Sequence, residues 1–227
     1  MKSVSGNEIK NLLSDNVKID ILTNCIEYFN NIITQEEAKF IIDSAENASN
    51  ILGHPWKFHD AKVGNENKLD KNLRSNKIMP LIPPSYATNN LTELTKNKYP
   101  EVLKVVDILQ DALIACVRYY SEKYEVPIAM DEGFTLLKYQ IGEEYKPHID
   151  CGPSKPMSDR TISIVGYLNP GEYSGGETYF NNFDISVNPQ QTGFVLFPSN
   201  YAYIHQAKPV TSGTKYSIVT WMSMPEK

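Results

Sequence analysis

The chain has four histidines, His54, His59, His148 and His205, and one of them sits in the pattern His148-Ile149-Asp150. Residues two apart on a strand point the same way, so an imidazole and a carboxylate with this spacing can address one metal ion. A second imidazole must come from elsewhere, and His205 follows the apolar run Gly193-Phe194-Val195-Leu196-Phe197. Two histidines and one carboxylate on one face of a metal leave three positions open. Iron(II) oxygenases use that arrangement to take a chelating co-substrate and dioxygen. An isolated HxD is more often a surface or turn pair, so its surroundings must decide. Lys215 lies ten residues after His205, in Gly213-Thr214-Lys215-Tyr216. It is either an exposed lysine after a turn or a cation aimed from a neighbouring strand. A buried lysine needs a counter-charge, and the distal carboxylate of 2-oxoglutarate would supply one.

Strands must position these groups, and the second half of the chain has their pattern. Short apolar runs at 135–139, 162–168, 177–180, 194–197 and 216–222 are split by turn signals at Gly142, Asn169-Pro170-Gly171, Gly175-Gly176, Pro189 and Gly213. Regular short strands with such punctuation predict a sandwich or barrel such as a jelly roll. Gly175-Gly176 is expected to make a tight turn and not a phosphate site, since no helix start follows it.

The first half reads as helices with a strand or two. Thr34 followed three residues later by Glu37 is a capping box ahead of the periodic Phe40, Ile41, Ile42 and Ala45. Pro100 suits a helix start, and 101–124 keeps Val102, Val105, Val106, Leu109, Leu113, Cys116 and Val117 on one face. Between these helices, about 60–90 is rich in Asn, Lys and Pro and is expected to be a mobile loop beside the site.

Bulk properties exclude several classes. With 227 residues, 41% hydrophobic and 22% charged, the chain suits one domain with a sizeable core. A net charge of −5 argues against a broad nucleic-acid face. Three dispersed cysteines, Cys25, Cys116 and Cys151, fit neither a disulfide framework nor a thiolate zinc site. No run approaches a membrane span and the N-terminus does not read as a secretory signal, so a cytoplasmic location is expected.

Five ordered blocks resemble the prolyl 4-hydroxylase-like 2-oxoglutarate/iron(II) dioxygenases, of microbial or viral type. Residues 139–150, YQIGEEYKPHID, are similar to the entry strand of that family. Arg160 to Asn169 resembles its "RxxTxxxYLN", and Gly175 to Phe180 its "GGxTxF". Gly193 to Pro198 resembles "GxxLxF", and His205 to Trp221 resembles "HxxxPVxxGxKxxxxxW". The likeness covers about 134–222, and five blocks in order are far more specific than any one of them. Arg74-Ser75 matches the family's short "RxS" element poorly.

The resemblance implies an α+β, mainly β fold: a double-stranded β-helix (jelly roll, cupin-like) with N-terminal helices packed on one sheet. It implies one oxygenase domain over 1–227. Residues 1–132 would be mostly helical support plus the 60–90 loop, and 133–223 the jelly-roll core. It implies iron(II) on His148, Asp150 and His205, with O2 and 2-oxoglutarate as co-substrates and ascorbate as reductant. Tyr139 and Lys215 would bind 2-oxoglutarate, with Tyr167, Ser163 and Thr178 as further pocket candidates. Tyr145 and Arg160 would face the substrate, and Trp221 would pack beside it or serve as a core aromatic. His54 and His59 match no block and are expected to be structural or exposed.

The implied reaction is hydroxylation of an unactivated C–H with succinate and CO2 as co-products. The implied target is a prolyl residue in a peptide or protein. Related halogenases lack the carboxylate, so Asp150 favours hydroxylation. Nucleobase-repair and oxygen-sensing relatives carry arginine where Lys215 stands, which places the chain nearer the collagen-type and microbial branch. No nucleic-acid or membrane partner is expected, and the chain is expected to be a monomer or weak oligomer. Two other classes stay open: an oxygenase of a free amino acid or small metabolite, and a non-catalytic jelly-roll binding module.

Overall fold

The computed structural model describes residues 13–23, 25–63, 68–83, 98–153 and 156–224. In chain order, the first half holds β1 (Lys18–Thr23), β2 (Ile26–Asn30), α1 (Gln35–Asn50), β3 (His59–Asp60), β4 (Lys77–Ile82) and α2 (Pro100–Tyr124). Then follow β5 (Met130–Asp131), β6 (Phe134–Tyr139), β7 (Tyr145–His148), β8 (Arg160–Tyr167), β9 (Tyr173–Gly175) and β10 (Thr178–Phe180). The last strands are β11 (Ile185–Val187), β12 (Gly193–Pro198), β13 (His205–Ala207), β14 (Val210–Gly213) and β15 (Lys215–Ser223).

The helices start where their caps place them. Thr34 Oγ1 accepts from the Glu37 amide at 3.2 Å, and the Glu37 carboxylate takes the Thr34 amide at 2.8 Å. That reciprocal box satisfies two orphan donors of α1. Pro100 occupies the first turn of α2 and Glu125 closes it in a left-handed conformation with φ 51°.

Strands β1-β2-β12-β8-β15-β6-β4-β3 form one large sheet, with β5 added beside β15. A second sheet runs β11-β10-β13-β7, and β14 pairs with β9. The strand ladders are antiparallel, as in β8–β15, where Ser217 faces Tyr167 and Thr220 faces Ile164.

Alternation divides the core into two layers. From β8 and β12, Ile162, Ile164, Phe194 and Leu196 join a cluster with Ile41 and Ala45 of α1 and Val105, Leu109 and Leu113 of α2. Their neighbours Val165, Tyr167, Val195 and Phe197 face the other way and pack with Phe180 and Val187 of the small sheet. The middle of the large sheet is thus buried on both faces, which explains why 193–197 reads as a continuous apolar run. At Gly166 a Cβ would lie 2.6 Å from Ile218 and 2.7 Å from Phe194, so the strand can cross there only without a side chain.

The segment 60–90 is not one irregular loop. It contains β4, whose Ile78 and Met79 pair with Leu137 and Leu136 of β6, and β3 at its start. Positions 64–67 and 84–90 lie outside the described residues. Pro80 fits this strand because, among the described residues, its neighbour β3 pairs only with Lys77 and Ile78. Among the described residues, no helix is long and apolar enough to cross a membrane.

Candidate metal centre

The small sheet brings the two histidines together. His205 on β13 is the cross-strand partner of His148 on β7, and Phe180 on β10 flanks it on the other side. Asp150 arrives differently from the two-apart strand spacing expected of it, because β7 ends at His148. The turn is pinned instead by Arg160, whose guanidinium donates to the Asp150 carbonyl at 3.0 Å, and by the Cys151 amide on Ser199 O at 3.0 Å.

The three side chains form the one His/Cys/Asp/Glu cluster among the described residues that could hold a metal ion, with ligand atoms within 4.8 Å of one another. His148 Nε2 lies 3.7 Å from Asp150 Oδ1, and His205 Nε2 lies 3.6 Å from Asp150 Oδ2. These separations exceed a hydrogen bond. They are shorter than two metal–ligand bonds of ~2.1 Å end to end, so they fit ligands of a shared ion. Each ring's other nitrogen is engaged: His148 Nδ1 lies 2.8 Å from Lys146 O and His205 Nδ1 3.0 Å from Tyr203 O. A carbonyl can only accept, so each Nδ1 carries the proton and each Nε2 lone pair is free for a metal. Burial pulls the His148 pKa down to about 3, which keeps the imidazole neutral and able to ligate. Burial works against the Asp150 carboxylate, but His205, His148 and hydrogen bonds from the Ser163 and Trp221 side chains hold its carboxyl below the ordinary range. Iron(II), with its preference for two imidazoles and a carboxylate, suits this donor set.

Beside the cluster lies a cavity of about 230 Å³. That is below the ~300–1,000 Å³ of a drug-sized ligand pocket, so it suits a small co-substrate and only the tip of a larger substrate. Lys215 reaches it from the first position of β15 and is 1% exposed. Its ammonium donates to Gly176 O at 2.7 Å and forms no carboxylate ion pair among the described residues. Burial draws its pKa down to about 8, with the charge of Glu177 opposing. Gly176 must lack a side chain here: φ is +68° and a Cβ would sit 3.1 Å from Lys215 Cδ. Tyr139 is the cross-strand partner of Lys215, and burial pushes its phenol up to about 12, so it stays a donor. An ammonium and a phenol O–H buried side by side in one pocket are a receptor for a carboxylate.

The other expected residues are placed as follows. Thr178 lines the cavity, and Tyr167 donates to its hydroxyl at 2.7 Å without lining the cavity itself. Ser163 is also outside the lining. It is fully buried, bonded to Ser199 Oγ at 2.8 Å and to the Asp150 carboxylate, so it braces the ligand rather than the co-substrate pocket. Tyr145 lines the cavity, stacked on His148 with ring centroids 3.5 Å apart. Arg160 and Trp221 line it as a pair, the guanidinium 3.7 Å from the indole centroid. Arg160 is not free, because Glu132 holds it through two bonds of 2.6 and 2.7 Å.

Sequence reasoning missed Glu132 and gave Arg74 little weight. Arg74 lines the cavity with its guanidinium 4.5 Å over the Tyr145 ring. The poor "RxS" match was the available signal for it. Of the unmatched histidines, His54 is 3% exposed, accepts from the Trp56 amide at 3.0 Å and lies 3.3 Å from Glu101. His59 is exposed on β3. Neither joins the cluster.

Residues 134–223 match the model of the 2OG-Fe(II) oxygenase superfamily. A PKHD-type hydroxylase of Psychrobacter sp. (strain PRwf-1) is 32% identical over 92 residues, 37% of this chain and 35% of that protein. Prolyl 4-hydroxylase 13 of Arabidopsis thaliana is 24% identical over 161 residues, 60% of this chain and 56% of that protein. The chain thus spans between about a third and just over half of the length of these curated relatives. Among solved structures, a prolyl hydroxylase of Trichoplax adhaerens, in complex with a hypoxia inducible factor oxygen degradation domain peptide fragment, superposes with TM-score 0.68. It is 18% identical, over 89% of this chain and 85% of that one, and so speaks for the fold. Residues 134–223 are therefore similar to the 2OG-Fe(II) oxygenase superfamily, the sequence relatives they match include prolyl 4-hydroxylases and PKHD-type hydroxylases, and the solved structures share the fold.

Proposed function

We propose that this chain is an iron(II)- and 2-oxoglutarate-dependent dioxygenase that hydroxylates a prolyl residue in a peptide or protein, with succinate and CO2 as co-products. The observation that carries the reading is the pairing of two features in one cavity. Three ligand atoms converge there without hydrogen-bonding one another, and a buried ammonium reaches the same space with no carboxylate partner among the described residues. A metal and a dicarboxylate satisfy both at once.

His148, Asp150 and His205 would hold iron(II), which when bound supplies the activation of dioxygen for C–H hydroxylation. Lys215 would bind the distal carboxylate of 2-oxoglutarate, with the Tyr139 hydroxyl as second donor and Thr178 on the adjoining wall. Tyr145 and the Arg160–Trp221 pair would orient the substrate at the mouth, and Glu132 would keep the Arg160 guanidinium in one plane. Phe180 and Phe197 pack against the His205 ring and would limit water on that side. The prolyl target is supported by the sequence likeness to prolyl 4-hydroxylases and by the motif order.

The test is succinate release from the purified chain with iron(II), 2-oxoglutarate and ascorbate, given proline-rich peptides, free proline or no substrate. Peptide-dependent succinate with a matching +16 Da product is the expected result. Stimulation by free proline alone would move the reading to a metabolite oxygenase. Failure to bind either the metal or 2-oxoglutarate would end it.

A further inference from the structure

The cavity walls carry more positive than negative charge, although the chain as a whole is acidic at −5. Lys62, Arg74, Arg160 and Lys215 line the cavity, with Asp150 as its one carboxylate among the described residues. An adjoining groove shares Lys62, Arg74 and Trp221 and adds His59 and Asp60. Most of these charges already have partners. Arg160 is clamped by Glu132 at 2.6 Å, and Asp60 is paired with Lys71 at 2.5 Å. On the reading proposed above, Lys215 is matched by the co-substrate and Asp150 by the metal. Lys62 and Arg74 remain, with no carboxylate partner among the described residues.

Arg74 is also held in place. Its backbone bridges to Tyr145, the Ser75 amide donates to Glu144 O at 3.0 Å and the Lys146 amide donates to Leu73 O at 2.9 Å. The segment thus covers the outer edge of β7. Arg74 Nε donates to Asn76 Oδ1 at 3.0 Å, and the guanidinium lies over Tyr145, which is itself stacked on His148. A half-buried guanidinium fixed beside the metal ligands, with a second cation on the same rim, is a site for an anion.

We propose that Lys62 and Arg74 select a peptide substrate bearing an acidic side chain within a residue or two of the hydroxylated position. This rests on the oxygenase reading and adds a charge rule to it. The rim is continuous with a groove, which fits an extended chain better than a lone small acid.

The test uses the full chain loaded with Mn(II) and 2-oxoglutarate, which permits binding without turnover. Fluorescein-labelled proline peptides carrying Glu, Ala or Lys beside the proline are titrated by anisotropy at low and high salt. The Glu peptide should bind about tenfold more tightly than the Lys peptide at low salt, with the gap closing as salt rises. Lys62→Glu, a change at an exposed position, should narrow or reverse that order, and Arg74→Gln should narrow it. Equal binding of all three peptides, no peptide binding, or an order unaltered in both variants overturns the charge rule. Loss of 2-oxoglutarate binding by the unmodified chain would instead overturn the oxygenase reading beneath it.

Discussion

The two main sheets do different work. The large sheet is the scaffold: β8 and β12 are buried on both faces, and their apolar side chains lock against the helices on one side and the small sheet on the other. The small sheet holds the chemistry on short strands, with four residues in β7 and three in β13. It donates both histidines, while half of β7 is exposed. Stability and reactivity are thus separated by layer. The small sheet can present polar groups because it supplies few core residues, Phe180 and Val187 among them, and these pack against Phe197 of the large sheet. Lys215 and Arg160 cross this division, charges on large-sheet strands that line the shared cavity.

The division can be broken from either side. The largest effect is expected from His148→Ala or His205→Ala, which should drop turnover to background and abolish metal uptake in a metal-binding titration. Their thermal unfolding without metal should change little. Phe194→Ala attacks the scaffold and should lower the unfolding free energy by about 3–5 kcal/mol, read by denaturant titration. The folded fraction should still bind metal. If Phe194→Ala destroyed metal binding in fully folded protein, the two layers would not be separable.

Lys215→Met crosses the boundary. It should weaken 2-oxoglutarate about 100-fold, read by calorimetry with Mn(II), because one charge-assisted contact is worth ~1.5–3 kcal/mol. The same lysine gives a pH signature. Its folded pKa of about 8 lies below the 10.5 of a free lysine. Between those values the unfolded chain holds a proton that the folded chain lacks, so stability without co-substrate should rise with pH across that window. Binding of 2-oxoglutarate needs the ammonium, so its affinity should fall above about pH 8, by up to about tenfold per pH unit. A flat profile there would remove Lys215 from the co-substrate site. The smallest effect belongs to His54→Ala. It removes the acceptor of the Trp56 amide and should cost about 1–2 kcal/mol of stability, with turnover kept within several-fold.

How much of this was legible depended on how local each signal was. The capping box at Thr34–Glu37, Pro100 at the start of α2 and the apolar runs of β6, β8, β12 and β15 are short-range patterns, and each became the element its pattern implied. Strand β4 was hidden because Pro80 and its Asn- and Lys-rich flanks read as a loop, whereas pairing with β6 makes it a strand. The contacts of Ser163 were not legible either: its register on β8 points it toward Asp150 and Ser199. Glu132 carried no motif, and only the fold brings it to Arg160 across 28 residues.

The sequence by itself determined the donor types, His148, Asp150, His205 and Lys215, since side-chain chemistry and motif order are written in it. The tertiary structure decided what those donors can do together. It set His205 opposite His148, turned the strand end so that Asp150 meets both rings, and buried Lys215 without a carboxylate partner among the described residues. It also left Lys62 and Arg74 on the rim. The reason is physical: a residue's chemical type is local, but its pKa, its free lone pair and its lack of a partner depend on atoms brought close by cross-strand pairing from distant parts of the chain.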